Sequence, residues 1–202
     1  MSESHFLHAV VWGDRETAIS QYIEASTMNK EKTIFRTNWI TVKETARGYH
    51  YLERKGRDSV AIFLVRRRNI NRGEYEVLIR QQPLCIDVPD INEEHKLYHC
   101  PITGGIDGGE LPEEAAVREV YEEAGFSVQV LSLGKYIVGT QTNEICYLYY
   151  ADVTGIEPDV APQDGSYFES ISRNEWYPLE YLNQCDYAGC QIGYFRLINL
   201  LL

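Results

Sequence analysis

The chain has 202 residues, 44% of them apolar and 24% charged, which suits one large globular domain or a domain with a short extension. Asp and Glu outnumber Lys and Arg by 30 to 19, so the formal net charge is −11, and a surface of that sign argues against a general DNA or RNA binder. Small phosphorylated ligands are not excluded, because bound divalent cations invert the local field.

No apolar run has the length of a membrane span. The opening MSESHFLHAVVWGD has no positive region ahead of its apolar stretch, so it does not read as a signal peptide. The five cysteines are an odd number, and no pair has Cys-x-x-Cys spacing. Reduced, mostly structural cysteines in a cytoplasmic protein are expected.

Residues 1–38 differ from the rest and form an extension of unassigned role. HFLHAVVW suggests a strand, and DRETAISQYIEAS a short helix capped by Asp14, with Ile19, Tyr22 and Ile23 on one face. TMNKEKT reads as a polar connector. From Trp39 to Leu202 a second domain is expected. NWITVKE alternates, GYHYLER follows after a turn, DSVAIFLV is a buried-strand run, and EYEVLIRQ is a further strand. HCPITGGID reads as extended chain entering a glycine loop. Residues 112–124 should be helical, with Pro112 at the first position, Gly125 as terminator and Ala115, Ala116, Val120 and Ala124 on a narrow apolar side. VQVLSLGKYIVG and EICYLYYADV are strand-like, and helical patterns return in PLEYLNQ and IGYFRLINLLL. One helix inside a run of strands predicts a mixed α/β fold, a mostly antiparallel or mixed sheet flanked by helices.

The chemistry gathers around residues 104–126, GGIDGGELPEEAAVREVYEEAGF. On a helix, Glu119, Glu122 and Glu123 fall near one face, and Arg118 is four residues from both Glu114 and Glu122. Gly104, Gly105, Gly108 and Gly109 permit a tight loop whose backbone approaches a ligand. Bare carbonyls beside clustered carboxylates make an all-oxygen site, which suits Mg2+ or Mn2+. A Glu-rich helix is usually only a solvated face; the loop, the arginine and the spacing together argue for more.

The segment resembles a Nudix box, G-x5-E-x7-R-E-U-x-E-E-x-G-U with U a bulky apolar residue, filled by Gly104, Glu110, Arg118, Glu119, Val120, Glu122, Glu123, Gly125 and Phe126. The strand order from about Trp39 onward is also similar to that family, and the resemblance implies an α/β/α sandwich with a mixed sheet. It implies metal-dependent hydrolysis of a nucleoside diphosphate linked to another group. Glu119 and Glu123 would be the main metal ligands, Glu122 would assist, and the Thr103 carbonyl could complete the site. Glu110 and Arg118 would brace loop and helix, with Arg118 and Gly105 also counted toward the substrate.

Within the family the chain looks most like the ADP-ribose and nucleotide-sugar pyrophosphatase branch, through EYEVLIRQQ, the strands from NWITVKE to DSVAIFLV, and the terminal helix. That branch commonly places a glutamate and Leu-Pro-Ala before the first box glycine, where this chain has Cys100, Pro101, Ile102 and Thr103. VGTQTNE, with Glu144, stands in the loop where the branch often has Ser-Pro-Gly. A later acidic residue often acts as base, for which Asp164 is the nearest match and Glu169 the fallback. Arg66, Arg67, Arg68, Arg72 and Arg80 form a basic island, with Arg80 the best phosphate contact by guanidinium geometry. His95 and His99 lie near the loop without matching ligands. The branch is commonly dimeric, which makes the N-terminal strands candidates for a contact between copies. The competing readings are a triphosphate or dinucleoside polyphosphate pyrophosphohydrolase and a nucleotide-sensing module without turnover.

Overall fold

The computed structural model describes residues 31–69, 73–84, 97–162 and 167–201. The expected strand at HFLHAVVW and the helix after Asp14 lie outside them. The chain divides into two compact units, Met1–Lys55 and Gly56–Leu202.

In the first unit, β1 (Lys32–Arg36), β2 (Ile40–Glu44) and β3 (His50–Arg54) form an antiparallel meander in the order β1-β2-β3. The Thr37 hydroxyl oxygen accepts the amides of Trp39 and Ile40 at 3.1 and 3.0 Å, fixing the first turn. Lys43 pairs with Glu53 across the β2–β3 ladder at 3.0 Å. Strand β1 begins inside the stretch expected to be a connector. All five of its side chains are exposed, so it has no alternation to read; pairing with β2 makes it a strand.

The second unit is built on one sheet. Its strands are β4 (Ser59–Asn69), β5 (Glu74–Pro83), β6 (Leu97–Cys100), β7 (Ile102–Gly105), β8 (Leu131–Ile137), β9 (Ile145–Asp152) and β10 (Arg173–Pro178). The order is β10-β5-β4-β9-β8, with β6 on β5 and β7 on β4. The β4–β9 pair is parallel and the others are antiparallel, so the sheet is mixed. Strand β4 feeds both cores. Val60, Ile62 and Leu64 pack with helix α1 (Pro112–Ala124), while Ala61, Phe63 and Val65 pack beneath α3 (Ala188–Leu201). Six consecutive residues, Val60 to Val65, are fully buried. Such a strand reads as a continuous apolar run, and each large side chain in it contributes roughly 1.5–3 kcal/mol on burial. The result is the α/β/α sandwich with a mixed sheet.

Helix α1 has the predicted bounds and apolar side: Ala115, Ala116, Val120 and Ala124 are buried. Their small size brings its backbone close to the sheet. Leu111, at the cap position, has no side-chain acceptor. Only half of a capping box forms, with Glu114 Oε2 accepting the Leu111 amide at 2.9 Å. Gly125 ends the helix at φ 73° and gives its N–H to Tyr121 O at 2.9 Å; a Cβ there would also sit 2.1 Å from Asp159 O. PLEYLNQ forms a 3-10 helix, Leu179–Gln184. Strand β10 and the five-residue helix α2 (Tyr167–Ile171) have no sequence signal. RNEWYP is polar and mostly exposed, and becomes a strand because it pairs along β5. Cys100, Cys146, Cys185 and Cys190 are free and buried. Among the described residues, no helix is long and apolar enough to cross a membrane.

Candidate functional site

Strand β7, the glycine loop after it and the inward side of α1 build the site. The first box glycine is dictated by contact. A Cβ on Gly104 would lie 1.9 Å from Glu119 Cδ, so the Glu119 carboxylate rests where any other side chain would be. Arg118 ties loop to helix. Its Nε and Nη2 donate to the two oxygens of Glu110 at 2.9 and 3.0 Å, a bidentate geometry. Nη2 also donates to Gly105 O at 3.0 Å, and Nη1 to Glu119 Oε1 at 2.7 Å and Glu122 Oε2 at 3.0 Å. Glu110 Oε2 accepts the Asp107 amide at 3.0 Å, closing the loop. The hydrogen bonds from Arg118 hold the Glu110 carboxyl below its usual range, and donating to Glu110, Glu119 and Glu122 holds Arg118 firmly protonated. All three guanidinium nitrogens are engaged within the protein. Arg118 thus links loop to helix, with the Gly105 carbonyl among its acceptors.

One turn on, Glu123 is almost enclosed. Arg80 Nε approaches its Oε1 at 3.2 Å, while Oε2 is buried with no hydrogen-bond partner. Burial pushes the Glu123 carboxyl up to about 8; Arg80 opposes the shift, and the negative charge of Glu119 adds to it. Burial raises Glu119 as well, against the pull of Arg118. Two buried carboxylates that burial raises, one of them raised further by the other and left with an orphaned oxygen, are short of positive charge. The donor set is all oxygen, and an unpartnered carboxylate oxygen is what a hard dication needs. The residues therefore fit a divalent cation, although the arginines occupy several of the carboxylates: among the described residues, no three Asp, Glu, His or Cys converge as a metal-binding cluster.

Arg80 lies on the same side of β5 as the core residue Leu78. Its Nε donates to Gln82 Oε1 at 3.1 Å, and its Nη1 faces Asn174 Oδ1 at 3.4 Å and Glu123 O at 3.5 Å. Gln82 reaches on to Tyr98 Oη at 2.7 Å and Thr103 Oγ1 at 3.4 Å. The Thr103 backbone lowers Glu123 by hydrogen bonding, and the charge of Glu169 raises it. The fold thus brings together Thr103, Gly105, Arg80, Arg118, Glu119, Glu122 and Glu123, with Glu169 near enough to act on Glu123. Asp164, Arg72 and His95 lie outside the described residues.

Other candidates are engaged elsewhere. Glu144 accepts the Ser59 hydroxyl at 2.6 Å in a buried contact. Arg66 pairs with Glu76 at 2.8 Å and stacks 4.1 Å over Trp176. His99 shares a 2.6 Å hydrogen bond with Tyr181, and burial and Arg173 lower its pKa. Cys100, at the position where the branch has a glutamate, is a buried thiol pushed up to about 12 by desolvation.

Sequence reasoning placed Glu114 within reach of Arg118 without seeing its contact to the Leu111 amide, and missed Asn174, Gln82 and Tyr98. The Glu114 position, three residues after the cap, is a recognisable capping signal. The others come together only through β5–β10 and β5–β6 pairing.

The NUDIX domain model matches residues 51–191. The chain belongs to the Nudix family. Curated relatives within reach include mouse ADP-sugar pyrophosphatase, 28% identical over 146 residues, which covers 66% of this chain and 58% of that protein. Putative nudix hydrolase 1 of Caenorhabditis elegans is 31% identical over 116 residues, 55% of this chain and 30% of that one. The Nudix chain thus spans less than two thirds of each of these relatives. A crystal structure of ADP compounds hydrolase superposes with a TM-score of 0.58 at 17% identity, covering 85% of this chain and 91% of that one; it supports the fold.

Proposed function

We propose that this Nudix protein hydrolyses the diphosphate bond of a nucleoside diphosphate linked to another group, an ADP-sugar such as ADP-ribose first among them. The products would be a nucleoside monophosphate and a phosphorylated remainder. The observation that carries the reading is the pair of buried, charge-deficient carboxylates Glu119 and Glu123, one with an unpartnered oxygen, set on a helix braced by Glu110 and Arg118. The name of the mouse relative supports the ADP-sugar class.

Glu119 and Glu123 would hold Mg2+ or Mn2+, with Glu122 assisting and the Thr103 carbonyl completing the site. Such a cation, when bound, neutralises diphosphate oxyanions and acidifies water. The chain's own residues do the positioning. Gly104 lets Glu119 lie against β7, and Arg118 fixes the loop. Arg80, held between Glu123 and Asn174, offers guanidinium N–H groups to a phosphate oxygen. Glu169 or Asp164 takes the proton from the attacking water; the effect of Glu169 on Glu123 favours Glu169. The reading includes a cytoplasmic protein, a catalytic domain over residues 39–202, and a homodimer formed through the N-terminal strands.

The test is a panel of ADP-ribose, other nucleotide sugars, dinucleoside polyphosphates and nucleoside triphosphates with Mg2+ or Mn2+, read as release of monophosphate. Turnover of ADP-sugars that EDTA abolishes is expected. Preference for triphosphates or dinucleotides would move the substrate class, and binding without turnover would make the chain a sensor.

A further inference from the structure

Asn174 is exposed on β10, directly opposite Arg80 in the β10–β5 ladder. Both ends of its amide are used on the candidate site. Nδ2 donates to Glu123 O at 2.7 Å, and Oδ1 faces Arg80 Nη1 at 3.4 Å. The partners fix the orientation of the amide, since a carbonyl requires a donor and a guanidinium requires an acceptor. The same Glu123 O lies 3.5 Å from Arg80 Nη1. Asn174, Arg80 and the last turn of α1 therefore form a closed triangle. Gln82 and the Glu123 carboxylate take Nε, Asn174 takes Nη1, and none of these contacts uses Nη2. A guanidinium is planar, so fixing Nε and Nη1 also fixes the direction in which Nη2 points.

We propose that Asn174 is a positioning residue. By holding Nη1 of Arg80 and the Glu123 carbonyl, it sets the plane of the guanidinium so that Nη2 meets an oxygen of the substrate diphosphate. The inference rests on the reading of Arg80 as the phosphate contact. Asn174 is exposed on the edge strand β10, so its side chain buries little surface, and its contacts run to Glu123 O and Arg80 Nη1. Its loss should leave the carboxylates in place and loosen Arg80.

The test is a double-mutant cycle on the full chain with Asn174→Ala, Arg80→Ala and the pair. It is read with ADP-ribose and Mg2+ as kcat and KM, and separately by calorimetric titration with ADP, which retains the diphosphate and needs no turnover. A loosened hydrogen bond to a charged group predicts that Asn174→Ala raises KM and the ADP dissociation constant about five- to tenfold. kcat should stay within about twofold, because the interaction is made equally in ground and transition states. In the Arg80→Ala background the same substitution should change neither value further. Asn174→Thr, which keeps strand propensity but is too short to bridge both partners, should behave like Asn174→Ala and controls for a fold defect. Unchanged affinity in Asn174→Ala, a full additional loss on top of Arg80→Ala, or an Arg80→Ala protein that binds ADP normally would each overturn the inference. If ADP binding follows the cycle while ADP-ribose is not hydrolysed, the proposed activity fails and the positioning role stands.

Discussion

The two helices that cover the sheet solve the same packing problem with opposite consequences. Helix α1 lays Ala115, Ala116, Val120 and Ala124 on one face of the sheet and carries ionisable groups along its edge. Helix α3 packs Cys190 and Leu197 on the other face, where Tyr136, Tyr181 and Tyr187 close around it. The α1 side buries carboxylates that lack enough positive charge. On the α3 side, hydroxyls and an imidazole meet one another: Tyr136 Oη donates to Tyr187 Oη at 3.3 Å, and Tyr181 meets His99 at 2.6 Å. Burial is common to both sides; the uncompensated charge distinguishes the α1 side.

The largest test of that contrast is Glu123→Gln. Removing the charged ligand should lower kcat by about 10²–10³-fold, a loss in the range for one electrostatic group. The melting temperature should hold or rise, because a buried, under-compensated carboxylate becomes a neutral amide. Activity near wild type at saturating Mg2+ would remove Glu123 from the ligand set. Gly104→Ala comes next. Its Cβ would occupy the Glu119 carboxylate position, so activity should fall about 10²-fold by displacement of Glu119, with roughly 1–3 kcal/mol lost to overpacking. Kinetics and denaturant unfolding on one preparation read both.

The α3 side should also answer to pH. His99 is lowered by burial and by Arg173, so the fold favours its neutral form. The unfolded chain then binds more protons over the window below the ordinary histidine value of about 6.5. Stability from this group is present above that value and is lost as pH falls through the window. His99→Gln should flatten this slope in urea midpoints taken across pH 5–8, and an unchanged slope would refute the assignment. Arg196→Met should have the smallest effect. From α3, its guanidinium donates to Leu133 O at 2.7 Å and Lys135 O at 3.2 Å on the edge strand β8. Losing them should cost about 1 kcal/mol with kcat and KM unchanged; any change in turnover would couple the two faces.

Much of the α1 side is legible because its determinants are local. Pro112, Gly125 and the spacing of Ala115, Ala116, Val120 and Ala124 fix a helix within one stretch, and the period of that helix alone puts Glu119, Glu122 and Glu123 together. The limits of the reading are also local. Glu114 looks like one more first-turn charge until its oxygen is seen on the Leu111 amide. Arg118 looks as available to a substrate as to a brace until each of its nitrogens is found engaged. The network around Arg80 could not be read, since Asn174 comes from β10 and Tyr98, which holds Gln82, from β6, and RNEWYP has no periodicity to mark it as a strand.

The sequence by itself determined the helix, its loop, the buried run of β4 and the carboxylate spacing, because each depends on residues within a few turns or on simple alternation. Only the tertiary structure decided which carboxylate is enclosed, that Arg118 links loop to helix while Arg80 is buried beside Glu123, and that a plain asparagine sits between Arg80 and Glu123. Those outcomes depend on strand register between distant segments, and on burial, which changes the energy of a charge far more than any neighbour in sequence does.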